Sequence, residues 1–541
     1  MRKIRSLFIA LTLILSYYKG EAQETVITLL QNDLKLADKY FDNKNYHDAL
    51  NLYLGIAKKN PSQEIQLQIA RSYHSLKQYS KAVAAYEKVQ RDNNLLPLED
   101  AFNYAEAQSG NSDYEKAVRS YQDYLKRVPN DQLVIKKIWR LNNIEFLYED
   151  STHFAVRPIS LNTEYGELCP AFYKSSLVFM SNRKGVQVVD KIDGALQTPF
   201  YRIYLSKISP DTTSNSGIPN YHVPVIFSKE FNVRFHSGPF AFYEREKKMV
   251  FTATGNEIGK QGSRTLQLFF AEETDGAWKV THAYPFNNTT YSMSDPTITQ
   301  DGKVMYFSSD MTGGFGGKDL YKSELVNGQW TKPLNLGDMI NTPEDEVFPY
   351  LHHNTLYFSS SGHAGLGGLD IFKAELSETD FFEPENAGYP INTNYDEFGI
   401  IVDSLNTHGY FSSNRKNGGY NDDLYEFDMD LQTYPLEIKG LIKHKEHNWS
   451  DSSDLQLLPH AKLYLIDNIR NVVVHECASD ADGNFSIIIP YFSKYKIRVI
   501  GADNDENIVS LEIPKHRKSY SQYEIVVVKD AFKPGENQVI K

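Results

Sequence analysis

Two short marks, each repeated five times, limit what the middle of this chain can fold into. The first is an aromatic-centred strand: Val178-Phe179-Met180-Ser181, Val250-Phe251-Thr252, Tyr306-Phe307-Ser308-Ser309, Tyr357-Phe358-Ser359-Ser360 and Tyr410-Phe411-Ser412-Ser413. The second follows it: Ile203-Tyr204, Leu268-Phe269, Asp319-Leu320-Tyr321, Asp370-Ile371-Phe372 and Asp423-Leu424-Tyr425. The later copies stand about 50 residues apart, a step that suits a small four-stranded sheet. A Pro opens the first strand at Pro170, Pro239, Pro296 and Pro349, Asp301-Gly302 suits a tight hairpin, and Trp278 and Trp330 fall where a fourth strand should run. Four strands per unit, five times over, predict radial sheets around an axis across residues 150–430, a five-bladed β-propeller.

The residues before this stretch carry a different period. Ala37, Tyr40, Tyr46, Ala49, Tyr53 and Pro61 form a first copy. Ala70, Tyr73, Tyr79, Ala82 and Tyr86 form a second, and Ala105, Tyr114, Ala117, Tyr121 and Pro129 a third. Small residues let helices approach, aromatic rings fill the layers between them, and the prolines stop the second helix of a pair. The pattern resembles the tetratricopeptide repeat, and it predicts a helical solenoid over residues 24–145. The second copy departs from it, with Asn94 in place of the usual Pro. The resemblance implies a concave groove lined by Asp38, Arg71, His74 and Phe102: a docking surface for a partner segment, a solvated face or a face packed on another domain.

Beyond the propeller, strands are expected at 438–442, 461–467, 481–485, 495–499 and 523–528, and residues 531–541 are expected to be a tail. Ala481-Asp482-Gly483-Asn484-Phe485 reads as a hairpin turn into a strand. The strand order over 435–530 resembles the carboxypeptidase-regulatory-like fold, a transthyretin-like β-sandwich. Asp480, Asp482 and Asn484 do not make a calcium loop, because the Gly falls too early and no Glu closes it.

The N-terminus bears on location. Arg2, Lys3 and Arg5 precede the apolar run Leu7 to Leu15, and Gly20-Glu21-Ala22 offers small residues at a cleavage point. Residues 1–22 therefore read as a signal peptide. Its removal moves the formal charge from −12 to about −15, a poor balance for nucleic-acid binding. Two cysteines, Cys169 and Cys477, are expected as buried free thiols in different domains.

No catalytic constellation is legible. Gly-x-Ser-x-Gly is absent, as are His-Glu-x-x-His and a completed zinc set around His352-His353 or His444-x-x-His447. The Gly-rich stretches Gly313 to Gly317 and Gly365 to Gly368 lack the Lys and helix of a phosphate loop. Asp319, Asp370 and Asp423 hold the same place in three units, which reads as turn capping or bracing of the next blade. No catalytic residue, cofactor or metal is expected.

The propeller units resemble the TolB-type, WD40-like repeats of bacterial periplasmic proteins. The order of signal peptide, tetratricopeptide repeats, propeller and regulatory-like sandwich resembles the PorE-type proteins of the Bacteroidetes type IX secretion and gliding machinery. That resemblance implies a non-enzymatic scaffold in the periplasm, associated with an outer-membrane barrel of PorP/SprF type. The OmpA-like domain usual in the group is missing, which puts direct contact with peptidoglycan in doubt. Two other readings stand beside it: a module binding cell-wall glycan or polysaccharide through propeller loops, and a hydrolase with a pair of carboxylates in the propeller channel.

Overall fold

Small and aromatic residues at fixed steps decide the helical layer. In the computed structural model Ala37, Ala49, Ala70, Ala82, Ala105 and Ala117 are fully buried, as are Tyr53 and Tyr86, with Tyr121 nearly so. The helices Tyr46–Lys59, Gln63–Ser75, Tyr79–Arg91, Leu98–Gly110, Tyr114–Leu125 and Gln132–Asn142 follow one another, after a helical stretch at 33–42. Ser62 caps one start through the Ile65 amide and Asp131 another through that of Val134, at 3.2 Å each. The turns inside the three helix pairs each carry one left-handed residue: Lys44 (φ 61°), Lys77 (φ 57°) and Ser112 (φ 62°).

The structure describes residues 33–541 except 92–94, 150, 185–197, 210–219, 232–234, 260–263, 378–379, 418, 420, 430–435, 446–454, 491–492, 502–505, 512–522, 529–537 and 540–541. The signal-peptide reading and Asn94 lie outside the described residues. No described helix is long and apolar enough to cross a membrane. The chain divides into two compact units, Met1–Asp428 and Met429–Lys541.

In the first unit the helices join a β-propeller-like body of five sheets. Their first strands are Glu167–Tyr173, Ser237–Tyr243, Met293–Ile298, Glu346–His352 and Glu397–Val402. Each of these adjoins the first strand of the next sheet, and the last adjoins the first, so they ring an axis. The aromatic-centred marks are the second strands, with Phe179, Phe307, Phe358 and Phe411 fully buried between sheets. The second set of marks forms the third strands. The outermost strand of the last sheet comes from the start of the body: Phe154–Pro158 pairs beside Asp423–Met429, and Arg157 holds Glu426 and Asp428. That pairing ties the body's beginning to its end.

Two findings differ from the sequence reading. The prolines do not open the first strands. Each follows a left-handed residue at a bulge inside the strand: Cys169 before Pro170, Gly238 before Pro239, Asp295 before Pro296 and Phe348 before Pro349. The fifth strand repeats the bulge at Gly399 without a proline. A bulge frees one residue from the ladder, which is where a proline is tolerated in a sheet. The asparagines before these strands also carry a role the pattern did not reveal. Asn162, Asn287, Asn341 and Asn392 each accept from the amide and donate to the carbonyl of one third-strand residue, Leu424, Leu268, Leu320 and Ile371, at 2.7–3.1 Å.

In the second unit Leu436–Lys445 pairs with Gln456–Leu457, Asn484–Ile489 and, in parallel, Tyr523–Val528. A second sheet runs Val472–Ala478, Lys462–Asp467, Tyr495–Ile500, Glu506–Leu511 and Gln538–Val539. Ile438, Ile442, Leu463, Leu465, Phe485, Ile487, Ile497 and Val499 fill its core. Val472–Ala478 and Glu506–Leu511 were not foreseen. Gln538–Val539, inside the expected tail, lies parallel to Glu506–Leu511.

The asparagine clasp is testable. Asn392 is fully buried and satisfies two backbone groups, so Asn392→Ala should cost about 2–3 kcal/mol in denaturant unfolding of the first unit. A loss under about 0.5 kcal/mol, the range of an uninvolved surface site, would show that the clasp holds nothing.

Candidate active site

The ends of the first strands are fixed by buried carboxylates. Glu167, Glu346 and Glu397 each accept from a Thr amide and hydroxyl four residues earlier (Thr163, Thr342, Thr393) and from a second-strand Ser hydroxyl (Ser181, Ser360, Ser413), at 2.6–2.8 Å. Arg183 and Arg415 answer the charge of Glu167 and Glu397. Burial pushes Glu346 up to about 7, against the pull of these hydrogen bonds. These groups are structural: every one is spent on folding a loop back onto its strand.

Asp319 and Asp370 behave the same way and cap the Gly-rich loops, as the sequence reading had it, whereas Asp423, read alike, caps no described amide. Asp319 accepts from the amides of Phe315 (2.6 Å) and Gly316 (3.1 Å) and from Asn335 (2.7 Å). Asp370 accepts from Leu366, Gly367 and Asn386 in the same places.

Inside this frame the repeat breaks, and chemistry appears. The five bulge residues crowd the axis. A Cβ on Gly399 would stand 3.6 Å from the Cys169 Sγ, one on Gly238 would stand 2.7 Å from the Met180 Sδ, and the rings of Phe348 and Phe398 stack at 4.7 Å. Four bulges therefore carry thiol, hydrogen or phenyl, and the fifth carries a carboxylate, Asp295. Its Oδ2 accepts from Ser294 (2.9 Å) and Ser308, and the Lys318 Nζ lies 3.9 Å away.

A second set of equivalent positions lies beside them. The carbonyls of Tyr201, Lys318, Leu369 and Asp422 each accept from the first strand of the next sheet, at 2.7–3.2 Å, so these four residues sit at matching points around the mouth. Asp422 has a carboxyl pushed up to about 7, by burial first and then by Asp396 and Asp423. It acts on the Tyr201 phenol and the Cys169 thiol, both raised mainly by burial, and Asp295 also acts on that thiol. Asp295 and Asp422, from opposite parts of the chain, thus both act on one buried thiol. Half-buried rings flank Tyr201: Phe200 meets Phe235 at 5.7 Å and His236 at 4.8 Å, and the Arg264 guanidinium covers Phe235.

The helical layer reaches the same end of the body. Lys77 Nζ lies 3.5 Å from Asp396 Oδ1, Asn394 donates to the Gly110 carbonyl, and Lys137 bridges Glu106 to the Ser361 carbonyl. The four groove residues named from sequence each have a contact within or beside this layer. Asp38 accepts from the Tyr53 hydroxyl at 2.7 Å, and Arg71 makes a two-pronged pair with Asp100 at 2.8 and 2.6 Å. His74 is half-buried and pushed down to about 4 by burial and then by Lys77. Phe102 tilts against Tyr121 and Tyr124. The structure strings them along a row of separate contacts and does not gather them at one point.

No group of three metal-ligating side chains occurs among the described residues. Asp480 spends its carboxylate on the amides of Asp482 and Asn484, as a hairpin turn requires. Cys169 is a buried free thiol, and Cys477 is free but only half-buried. Asp295, Lys318 and Asp422 were missed from sequence because each occupies a repeat position filled differently in the other sheets. The readable signal was a column that varies between fixed neighbours.

No family model matches the chain, and no curated protein matches it. Solved structures do. An α-L-arabinofuranosidase from Lactobacillus brevis is 12% identical, over 50% of this chain and 92% of its own, with a TM-score of 0.32. A sucrose-6-phosphate hydrolase from Lactobacillus gasseri is 12% identical, over 70% and 92%, with a TM-score of 0.32. An exo-β-1,3-galactanase from Clostridium thermocellum is 13% identical, over 64% and 82%, with a TM-score of 0.32. These comparisons overturn the expected PorE-type assignment and with it the non-enzymatic scaffold of the secretion and gliding machinery. Several of the structures similar to this chain are glycoside hydrolases, and the tetratricopeptide label has no matching model behind it. Likeness this low carries no argument about what the chain does in that scaffold's place.

Asp422 makes a testable link between pH and stability. Its folded pKa of about 7 lies above the ordinary 3.8, so the folded state binds the extra proton between those values. Stability from this group is therefore lost as pH rises from about 4 to about 7. Asp422→Asn has no such loss, so its stability relative to wild type should rise between pH 5 and pH 8, by about 1 kcal/mol after discounting for solvent screening. Melting curves at the two pH values read this directly, and a difference that does not change with pH would remove Asp422 from the buried acidic group.

Proposed function

We propose that the propeller mouth is a carbohydrate-cleaving site in which Asp422 is the general acid and Asp295 the opposing carboxylate. The observation that carries this reading is the different surroundings of the two groups: Asp422 has two further carboxylates acting on it, and Asp295 has two serine hydroxyls and a lysine. Asp422 sits among Asp396 and Asp423 and is pushed up to about 7, so it keeps a proton near neutral pH. Asp295 is held by two serines with an ammonium group 3.9 Å away. Glycoside hydrolysis needs this division between a carboxyl that gives a proton and a carboxylate that takes one. In the reaction, the Asp422 proton passes to the leaving oxygen as the glycosidic bond breaks. Asp295 takes a proton from the water whose oxygen bonds to the sugar carbon. The half-buried rings of Phe200 and Phe235 offer the apolar faces on which a sugar ring can rest.

The finer architecture belongs to this proposal: a helical-repeat domain over 24–145, a five-bladed propeller over 150–430 and a transthyretin-like sandwich over 435–530. So does a location in the periplasm, supported by the basic and apolar N-terminal segment and the acidic charge of the chain. A second reading, glycan binding without cleavage, is favoured by the apolar floor of Phe348, Phe398 and Cys169 beneath the mouth.

A panel of aryl glycosides and of reducing-end release from polysaccharides tests the proposal. Wild type should turn over at least one member, and Asp422→Asn and Asp295→Asn should each lower kcat about 10²–10⁴-fold, the range of a lost acid or base. Asp482→Asn, in the other unit, should leave the rate unchanged. No release by wild type, with saturable binding of the same glycans, would replace cleavage with the binding reading.

A further inference from the structure

Two lysines of the helical layer, Lys77 and Lys137, reach the propeller body, and the position of Lys77 bears on Asp422. Lys77 is the left-handed turn residue of the second helix pair, the counterpart of Lys44 and Ser112. Its Nζ reaches Asp396, whose Oδ1 also accepts from the Leu369 amide (2.9 Å) and whose Oδ2 accepts from Asn414 (2.9 Å). Burial works against the lysine's charge, but Asp396 and then Tyr79 outweigh it and its pKa is raised.

The backbone of Lys77 also lies against the segment that leads to Asp422. A Cβ on Gly419 would stand 3.3 Å from the Lys77 carbonyl oxygen, and Gly419 is itself left-handed (φ 89°). In two sister sheets the residue four before the third-strand Asp donates its amide to that Asp: Phe315 to Asp319 and Leu366 to Asp370. Gly419 holds the same place before Asp423, yet its amide goes to the Asn414 carbonyl at 3.1 Å. Among the described residues no backbone amide caps the Asp423 carboxylate, and Lys416 stands 3.8 Å from it. Gly419, where Lys77 touches it, thus spends its amide differently from its counterparts Phe315 and Leu366.

We infer that Lys77 is a positioning residue for Asp422: by pairing with Asp396 and seating the Gly419 segment, it makes the helical layer part of the propeller's mouth. This rests on the reading of that mouth as an active site. The groups facing Asp422 are Asp396 and Asp423, Tyr201 and Cys169, with Lys77 and Lys416 as the cations on Asp396 and Asp423. Glu167 acts on Asp423, and Asp295 acts on Cys169 from across the axis with Lys318 beside it. His74, Glu106 and Glu344 lie behind Lys77.

The test uses the full chain and two readouts: the pH profile of glycoside turnover, and the titration of Asp422 by carboxyl NMR, assigned by its loss in Asp422→Asn. Lys77→Met leaves Asp396 unanswered, so the Asp422 midpoint and the alkaline limb of kcat should both move up by roughly half a pH unit. Lys77→Arg should restore both. Asp396→Asn removes the negative charge from the other side and should move the Asp422 midpoint down, which keeps the inference falsifiable if Lys77→Met fails to fold. An Asp422 midpoint unmoved by Lys77→Met, or by Asp396→Asn, overturns it. Failure of the active-site reading is distinct: wild type then shows no turnover, while the Asp422 titration still responds to Lys77.

Discussion

A carboxylate with no solvent, answered by two hydrogen bonds from its own loop and one from the neighbouring strand, is the interaction on which the end of each of three sheets depends. Glu167, Glu346 and Glu397 each stand at the first residue of an axial strand and are fully buried. An unpaired charge there would be costly, so the Thr and Ser hydroxyls that surround it have little freedom to be anything else. The same segment carries the asparagine that clasps the neighbouring third strand. One short stretch therefore fixes both the end of its own sheet and the joint to the one before. Where Arg183 and Arg415 add a guanidinium, the charge is paired as well as hydrogen-bonded, and the ring over Phe179 or Phe411 is used a second time as a cation's seat.

With that frame fixed, the axis is free to vary. Five equivalent bulges place one residue each where backbones meet most closely, and the left-handed conformation there suits glycine, which two of them use. The other three carry side chains, and only Asp295 is charged. The next set of positions holds Tyr201, Lys318, Leu369 and Asp422, again four different chemistries at one structural place. A repeat protein keeps its repeated residues for folding and has its unrepeated ones left over for binding and reaction. Here that remainder includes Asp295, Lys318 and Asp422, and Lys77 of the helical layer pairs with Asp396, which comes just before the last of the first strands.

Much of the architecture was legible in the chain. The aromatic marks fell on second and third strands because a buried, twisted sheet needs large β-forming residues at the same height in every copy. The Ala and Tyr steps gave the helix pairs, since close helix packing admits few other residues, and Asp319 and Asp370 were correctly read as caps. The misplaced prolines show the limit: a proline before a strand and a proline at a bulge look alike in one dimension. Val472–Ala478 was missed because its Val-Val-Val run alternates poorly, with exposed and half-buried residues in irregular order. The functional assignment failed for a different reason. It was drawn from the order of modules, and module order speaks of ancestry, whereas a site is made of particular side chains.

By itself the sequence determined the repeats, the kinds of element and their spacing, because burial and helix or strand periodicity act over a few residues and recur. Only the tertiary structure decided that Asp295 and Asp422, over a hundred residues apart in the chain, act on one thiol, and that Lys77 of a helical turn answers Asp396 of the loop before a propeller strand. Ring closure makes this so. It brings the last sheet against the first through a strand borrowed from the chain's earlier part, and an electrostatic neighbour across such a joint leaves no periodic trace in either segment.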